Sequence, residues 1–239
     1  KNVLKKISQE KYDAIILIDY PGFNLRIAKK IKSLFPRLPI YYYISPQIWA
    51  WKEERIKIIK NYVDKMIVIF DFEETWYKER NVDALFVGHP FIETVKTSMT
   101  REEAMKEFSL DPNRKIIGLL PGSRNNEIHF LFDLMIDSAA EIRKQVKDCQ
   151  FVLPVANTLN SDIFRERLKV NPLNIRIVEG KSYDVMNCCD FLIIASGSAT
   201  LEAGLLGCPM VIVYRLNSIT YWLARLLVKI KLYGLVNIV

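Results

Sequence analysis

Short apolar runs alternate with amphipathic stretches along nearly the whole chain, and this alternation restricts the fold more than any other feature. Residues 12–18 (YDAIILI) form a continuous apolar run that suits a strand buried on both faces. After the Pro21-Gly22 turn, Leu25, Ala28, Ile31, Leu34 and Phe35 recur at helical spacing, with Lys29, Lys30 and Lys32 between them. Residues 39–44, 65–70 and 84–87 read as further strands, and 49–62 and 73–78 as intervening helices. Strands and helices in strict alternation predict a parallel sheet with helices packed on both faces.

The pattern loosens after His89. Thr100 and Glu103 have the spacing of a capping box, and Asp111-Pro112-Asn113 reads as a turn, so residues 100–114 are expected to connect two domains. Beyond them the alternation restarts. Residues 115–120, 150–153, 175–178, 191–195 and 210–214 read as strands, with a long helix after the first and helices at 158–169, from 182, and at 200–206. The expected architecture is α/β, two doubly wound domains at 1–99 and 115–239, with ligands held at the carboxyl ends of the strands.

Ile219, Trp222, Leu223, Leu226, Leu227 and Ile230 form one apolar stripe, expected as a core-facing helix. With the basic faces around 29–32 and 52–60 it also permits peripheral attachment to anionic lipid. The chain opens on Lys1 and stops within an apolar run, and one basic helical segment alone precedes residue 12. Both ends are therefore expected to be cut, leaving both domains incomplete.

Composition removes several function classes. The 239 residues include 34 basic and 27 acidic ones, a net charge of +7 that suits nucleic acid, an anionic membrane or phosphorylated substrates alike. Cys149, Cys188, Cys189 and Cys208 show no CxxC spacing, which favours reduced, buried thiols over a zinc site. Two histidines are too few for a His-rich metal centre. No apolar run reaches the roughly 18 residues of a membrane-spanning helix.

Two loops carry the clearest chemistry. Pro121-Gly122-Ser123-Arg124 follows a buried strand and opens a helix, exposing N–H groups where the helix dipole favours an anion, and Arg124 adds a planar cationic fork. The plainer reading is a tight turn with a solvated arginine. Ala195-Ser196-Gly197-Ser198-Ala199-Thr200 is a second small-residue loop between strand and helix, and Glu202 in that helix suits the two ribose hydroxyls of a nucleotide. Its plainer role is pairing with the helix dipole. Neither loop matches a Walker P-loop or GxGxxG, which disfavours ATP hydrolysis and dinucleotide redox chemistry.

In the first domain, Asp19 ends a strand and suits either a general base or a turn. Ser45, Trp49 and Trp51 mark a second strand-to-loop junction, fitting sugar or acyl contact or simply core packing. His89 closes the fourth strand, as a substrate contact or a turn residue.

Taken together, IDYPGFNLRIA (18–28), YISPQIWAW (43–51), FVGHPF (86–91), LLPGSRNNEI (119–128), ASGSATLE (195–202), CPMVIVYR (208–215) and VNIV (236–239) resemble, in order, the motifs of the lipid-A-disaccharide synthase family. That resemblance implies a GT-B-like fold, two Rossmann-like domains facing a cleft, and an inverting, metal-independent glycosyltransferase needing no cofactor. It implies transfer of 2,3-diacylglucosamine from UDP-2,3-diacylglucosamine to 2,3-diacylglucosamine 1-phosphate (lipid X), forming the β-1,6 disaccharide of lipid A and releasing UDP.

It further implies Asp19 and Arg124 as catalytic residues. Gly122, Ser123, Arg124, Ser196, Gly197, Ser198, Ala199, Thr200, Glu202 and Asn237 would bind the nucleotide sugar, and Ser45, Trp49, Trp51 and His89 the acceptor or its acyl chains. Location on the inner face of the cytoplasmic membrane follows, with room for a homodimer and no role for nucleic acid. Val236 stands where the family usually has proline, and Tyr20 and Gly22 also depart from its commoner residues. Because family members carry an earlier strand and later helices, this chain alone is expected to be poorly active. The alternatives are a UDP-N-acetylglucosamine 2-epimerase or MurG-like enzyme, and a basic, non-catalytic nucleic-acid-binding protein.

Overall fold

A computed structural model describes residues 2–169, 173–215 and 235–237, which divide into two compact units. The apolar stripe between Ile219 and Ile230 lies outside the described residues. Among those described, the first unit comprises residues 2–90 and the second the remainder.

Unit 1 begins with helix α1 (Asn2–Gln9), followed by β1 (Ile15–Ile18), α2 (Pro21–Leu34) and β2 (Ile40–Tyr43). A 3-10 turn (Glu53–Arg55) leads into α3 (Ile56–Tyr62), then come β3 (Lys65–Val68), α4 (Asp71–Lys78) and β4 (Ala84–Phe86). Pro21 starts α2 at the position where its missing N–H costs nothing. The four strands are parallel and lie in chain order, β1-β2-β3-β4. Right-handed crossovers that always step the same way bring their helices to one face of a sheet. Burial follows that rule. Leu17, Ile40, Tyr42, Met66 and Val68 are buried, whereas Ile16 and Ile18 on the opposite face of β1 are 63% and 57% exposed. The expectation of a strand buried on both faces is therefore corrected for β1.

Unit 2 starts with α5 (Phe91–Thr94) and α6 (Arg101–Glu107), then β5 (Lys115–Leu120), α7 (Asn125–Gln145), β6 (Cys149–Val155) and α8 (Asp162–Leu168). It continues with β7 (Arg176–Glu179), α9 (Ser182–Cys188), β8 (Phe191–Ala195), α10 (Ala199–Leu205) and β9 (Met210–Val213). Its five parallel strands have the order β7-β6-β5-β8-β9. Helices cover both faces. Leu131, Phe132, Met135 and Phe164 pack with Phe151 and Leu153 in one core, and Ala104, Val185, Met186 and Ala203 with Val152, Leu192 and Ile194 in the other. The winding reverses between β5 and β8, so the loops leaving these neighbouring strands turn to opposite faces and open a crevice.

The stretch 100–114 is built into unit 2. Both bonds of the Thr100–Glu103 capping box are made, and Ala104, Phe108 and Leu110 are buried in its core. Arg101 donates to the Cys189 carbonyl (3.2 Å) and to Asp190 Oδ1 (3.0 Å). Buried Asp184 accepts from the Ser98 amide and hydroxyl (2.7 and 2.8 Å) and from the Met99 amide (3.0 Å). All four cysteines are free and buried, and no described helix is long and apolar enough to cross a membrane.

Candidate functional site

The crevice in unit 2 holds a cavity of about 250 Å³ that brings both small-residue loops together. Gly122, Ser123 and Arg124 of one loop, Ser196, Gly197, Ser198 and Ala199 of the other, and Glu202 all line it. These residues lie far apart in the sequence. They meet because β5 and β8 are paired neighbours, Leu120 opposite Ile194, and each loop leaves its strand within two residues of that pair. A Cβ on Gly197 would meet no heavy atom within 4 Å, so this stretch of backbone is open to close approach. Thr200 departs from its expected ligand-binding role. It is fully buried and its hydroxyl donates to the Gly197 carbonyl (2.8 Å), so it shapes the loop from behind.

On the opposite loop the donors are already engaged. Glu127 Oε2 accepts from the Ser123 amide (3.1 Å) and the Arg124 amide (3.4 Å), and its Oε1 pairs with Arg124 Nη1 (2.8 Å). Glu127 also lines the cavity. Gly122 (φ +111) makes the close approach feasible, because a Cβ there would stand 2.3 Å from Glu127 Oε2 and 2.8 Å from Glu127 Cβ. Glu127 stands at the capping-box position of α7, but with arginine rather than serine or threonine at the N-cap. Arginine at that place breaks the Ser/Thr-x-x-Glu spacing by which a capping box is read from sequence.

Glu202 is half-buried. Burial raises its carboxyl above the ordinary range, and a hydrogen bond with Tyr183 offsets this in part. Glu202, Ala156 and Ser182 also line an adjoining cavity of about 450 Å³ with Lys96, Asn157 and Tyr183, so the carboxylate stands where two compartments meet. Such a place suits a ligand with a charged part and a larger ring system. Asn237 is exposed, ends a 3-10 turn (Leu235–Asn237) and does not line the 250 Å³ cavity. Its turn docks on α10 through Val236, whose Cγ2 stands 2.7 Å from the position a Cβ on Gly204 would take.

In unit 1, the expected residues lie along the carboxyl edge of the sheet. Asp19 and Tyr20 are consecutive non-glycine residues at positive φ (45° and 44°). This left-handed pair is held from two sides, since the Asp19 carbonyl accepts from Asn24 Nδ2 (2.6 Å) and from the Tyr42 hydroxyl (2.6 Å). Strain maintained by surrounding structure is a mark of functional turns. The Asp19 side chain is exposed, and Asn24 and Tyr42 join it as positioning residues that spacing alone does not reveal.

Ser45 is buried and hydrogen-bonds the Tyr77 hydroxyl (2.9 Å), while Trp49 Nε1 donates to buried Glu73 (3.0 Å). Both side chains are thus tied into the packing of unit 1. Trp51 is 40% exposed, with the Lys52 ammonium 4.3 Å from its ring centre. The His89 ring lies tilted beside that of Phe70, with centres 5.3 Å apart, and burial lowers its pKa.

Comparison with known proteins matches the family described as Lipid-A-disaccharide synthetase over residues 1–239. The lipid-A-disaccharide synthase of Nitrosococcus oceani is 43% identical over 237 residues, 99% of this chain and 61% of that protein. That of Trichlorobacter lovleyi is 44% identical over 237 residues, again 99% of this chain and 61% of the relative. The chain thus spans about three-fifths of the length of the curated relatives it matches.

Among solved structures, the Staphylococcus aureus MnaA–UDP co-structure aligns with a TM-score of 0.61 at 12% identity, covering 90% of this chain and 61% of that one. A UDP-GlcNAc 2-epimerase from Neisseria meningitidis bound to UDP-GlcNAc gives 0.60 at 13%, covering 93% and 65%. At such identities the likeness is one of fold, GT-B-like with two Rossmann-like units. It does not favour the epimerase alternative against relatives above 40% identity, nor do those relatives favour a nucleic-acid-binding protein.

Proposed function

We propose a function from one premise: the chain belongs to the lipid-A-disaccharide synthetase family. It is a glycosyltransferase chain whose unit 2 holds the UDP of UDP-2,3-diacylglucosamine and whose unit 1 presents Asp19 to the acceptor, 2,3-diacylglucosamine 1-phosphate. The observation that carries this reading is the 250 Å³ cavity, which unites two anion-suited loops with a carboxylate fit for ribose.

In the transfer step the Asp19 carboxylate takes the proton of the acceptor 6-hydroxyl as its oxygen attacks the anomeric carbon of the donor. The bond to the UDP oxygen breaks with inversion. Charge developing on the leaving diphosphate falls to the Ser123 and Arg124 amides at the start of α7, the Arg124 guanidinium and the Ser196 and Ser198 hydroxyls. Glu202 accepts from the ribose hydroxyls, and the adjoining cavity takes the base. The side chain of Arg124 is 81% exposed, which suits a cation that reaches its ligand by moving.

The enzyme works at the inner face of the cytoplasmic membrane, where its substrates' acyl chains are anchored. Supporting this, a cavity of about 450 Å³ in unit 1 is lined by Val3, Leu4, Phe23 and Ile27, and rimmed by Arg26 and Lys30. Apolar lining under a cationic rim fits acylated, anionic lipid. A homodimer is proposed from the family resemblance alone, and analytical ultracentrifugation tests it.

Titration of UDP into wild type, Arg124→Ala and Glu202→Ala tests the donor site. Each variant is expected to weaken binding about tenfold or more, the scale of one charge-assisted contact. Affinity unchanged in both would remove the assignment.

A further inference from the structure

Three of the donors assigned to the diphosphate are not vacant. Two backbone amides and one guanidinium, the three groups on the α7 side of the cavity, all bind the carboxylate of Glu127. A carboxylate and a phosphate present the same thing to such donors, a pair of anionic oxygens. We infer that Glu127 is a tethered anion occupying the diphosphate seat, which the nucleotide must displace on binding and which returns as UDP leaves. The inference rests on the proposed donor site and adds to it a residue that sets nucleotide affinity.

Two features favour displacement over a fixed capping role, and a third shows how the seat is built. Glu127 lines the cavity, so its carboxylate shares the space a ligand would enter. The Arg124 side chain is 81% exposed and that of Glu127 28%, so the arginine can swing toward solvent and open the pair without breaking a packed core. Such exposed pairs are individually weak. Gly122 has no side chain on the Glu127 side, and any Cβ there would push the carboxylate off the amides. The loop is thus shaped to admit this carboxylate.

Displacement has two consequences. The empty site keeps its amides satisfied, so the loop holds its form without ligand. A bound diphosphate must repel or dislodge a negative charge, so it binds more weakly than its contacts alone would give. For an enzyme that must release UDP after each transfer, that weakening favours turnover.

The test is calorimetric titration of UDP into wild type, Glu127→Gln and Glu127→Asp, with thermal melts to confirm folding. Glu127→Gln preserves shape and removes the charge. Glu127→Asp preserves the charge and withdraws it from the amides by one methylene. Both are expected to bind UDP more tightly, Glu127→Gln by about tenfold, the worth of one charge-assisted hydrogen bond, and Glu127→Asp by less.

Tighter binding by Glu127→Gln alone, with Glu127→Asp at the wild-type value, would show general charge repulsion and overturn the seat. Weaker or unchanged binding by both folded variants would make Glu127 an organiser of the loop and also overturn it. UDP binding absent from all three chains overturns the donor-site reading, and this inference with it.

Discussion

Glu73 sits within unit 1 with 1% of its surface exposed, one carboxylate oxygen on Trp49 Nε1 and the other, Oε2, without a hydrogen-bond partner. Burial pushes its pKa from 4.5 up to about 7, and hydrogen bonding from Trp49, with polar groups of Ser45, Phe70 and Ile69 nearby, offsets this only in part. The folded chain thus holds a proton that the unfolded chain has already released. For a carboxyl raised on folding, the stabilisation is complete below the unfolded pKa and is lost as pH rises through the folded one. Unit 1 is therefore expected to lose stability between pH 5 and pH 8, by at most about 3 kcal/mol. Urea unfolding followed by fluorescence of Trp49, Trp51 and Trp76 measures this. Glu73→Gln, which keeps the shape and an acceptor for Trp49, is expected to flatten the dependence; equal slopes in both chains would assign it to another group.

Glu73 also shows what a sequence conceals at this scale. Ser45 and Trp49 stand out in a motif, but the carboxylate that fixes Trp49 comes from α4, on the far side of a strand, and reads as an ordinary acidic residue in a helix's first turn. Tyr183 and Tyr42, whose partners are Glu202 and Asp19, escaped for the same reason. Their roles arise from partners that tertiary folding brings near. Asp19, Arg124 and Glu202 were legible because each ends a strand or opens a helix, where the fold class alone predicts a ligand edge.

Elements were legible wherever apolar pattern and boundary signals agreed. Residues 115–120 and 191–195 are strands to the residue, since each is a buried run ended by loop-forming residues. The strand expected at 150–153 extends to Val155 because Pro154 lies where β6 pairs only with β7, and a missing donor on the other side costs no ladder bond. The helix expected at 49–62 resolves into loop, a 3-10 turn and α3, with Lys52 at positive φ breaking it.

The loop between β5 and α7 offers an element-scale prediction. Gly122 holds φ +111, and a Cβ there collides with the first side-chain atom of Glu127, not merely its flexible end. Gly122→Ala is expected to destabilise unit 2 by about 1–3 kcal/mol through backbone strain and crowding. Thermal melts check this. A variant of wild-type stability would mean that the turn relaxes freely.

At the scale of the whole molecule, a surplus of basic residues gives a net charge of +7, which by itself names no partner. Placement narrows it. Arg26 and Lys30 border the apolar cavity of unit 1, where Val3 and Phe23 are 47% and 49% exposed, so charge and apolar surface coincide. A basic residue near an anionic bilayer contributes about 1 kcal/mol. Replacing both cations by glutamate should therefore lower binding to anionic phospholipid vesicles by more than about tenfold. Cosedimentation at low salt reads this directly, with zwitterionic vesicles as the comparison. Binding should fall as salt shortens the Debye length from about 10 Å at 0.1 M to about 3 Å at 1 M. A fraction resistant to salt would measure the apolar share carried by Phe23 and its neighbours. Equal binding to both kinds of vesicle would show that the basic rim takes no part, and the charge would then serve substrate attraction and solubility instead.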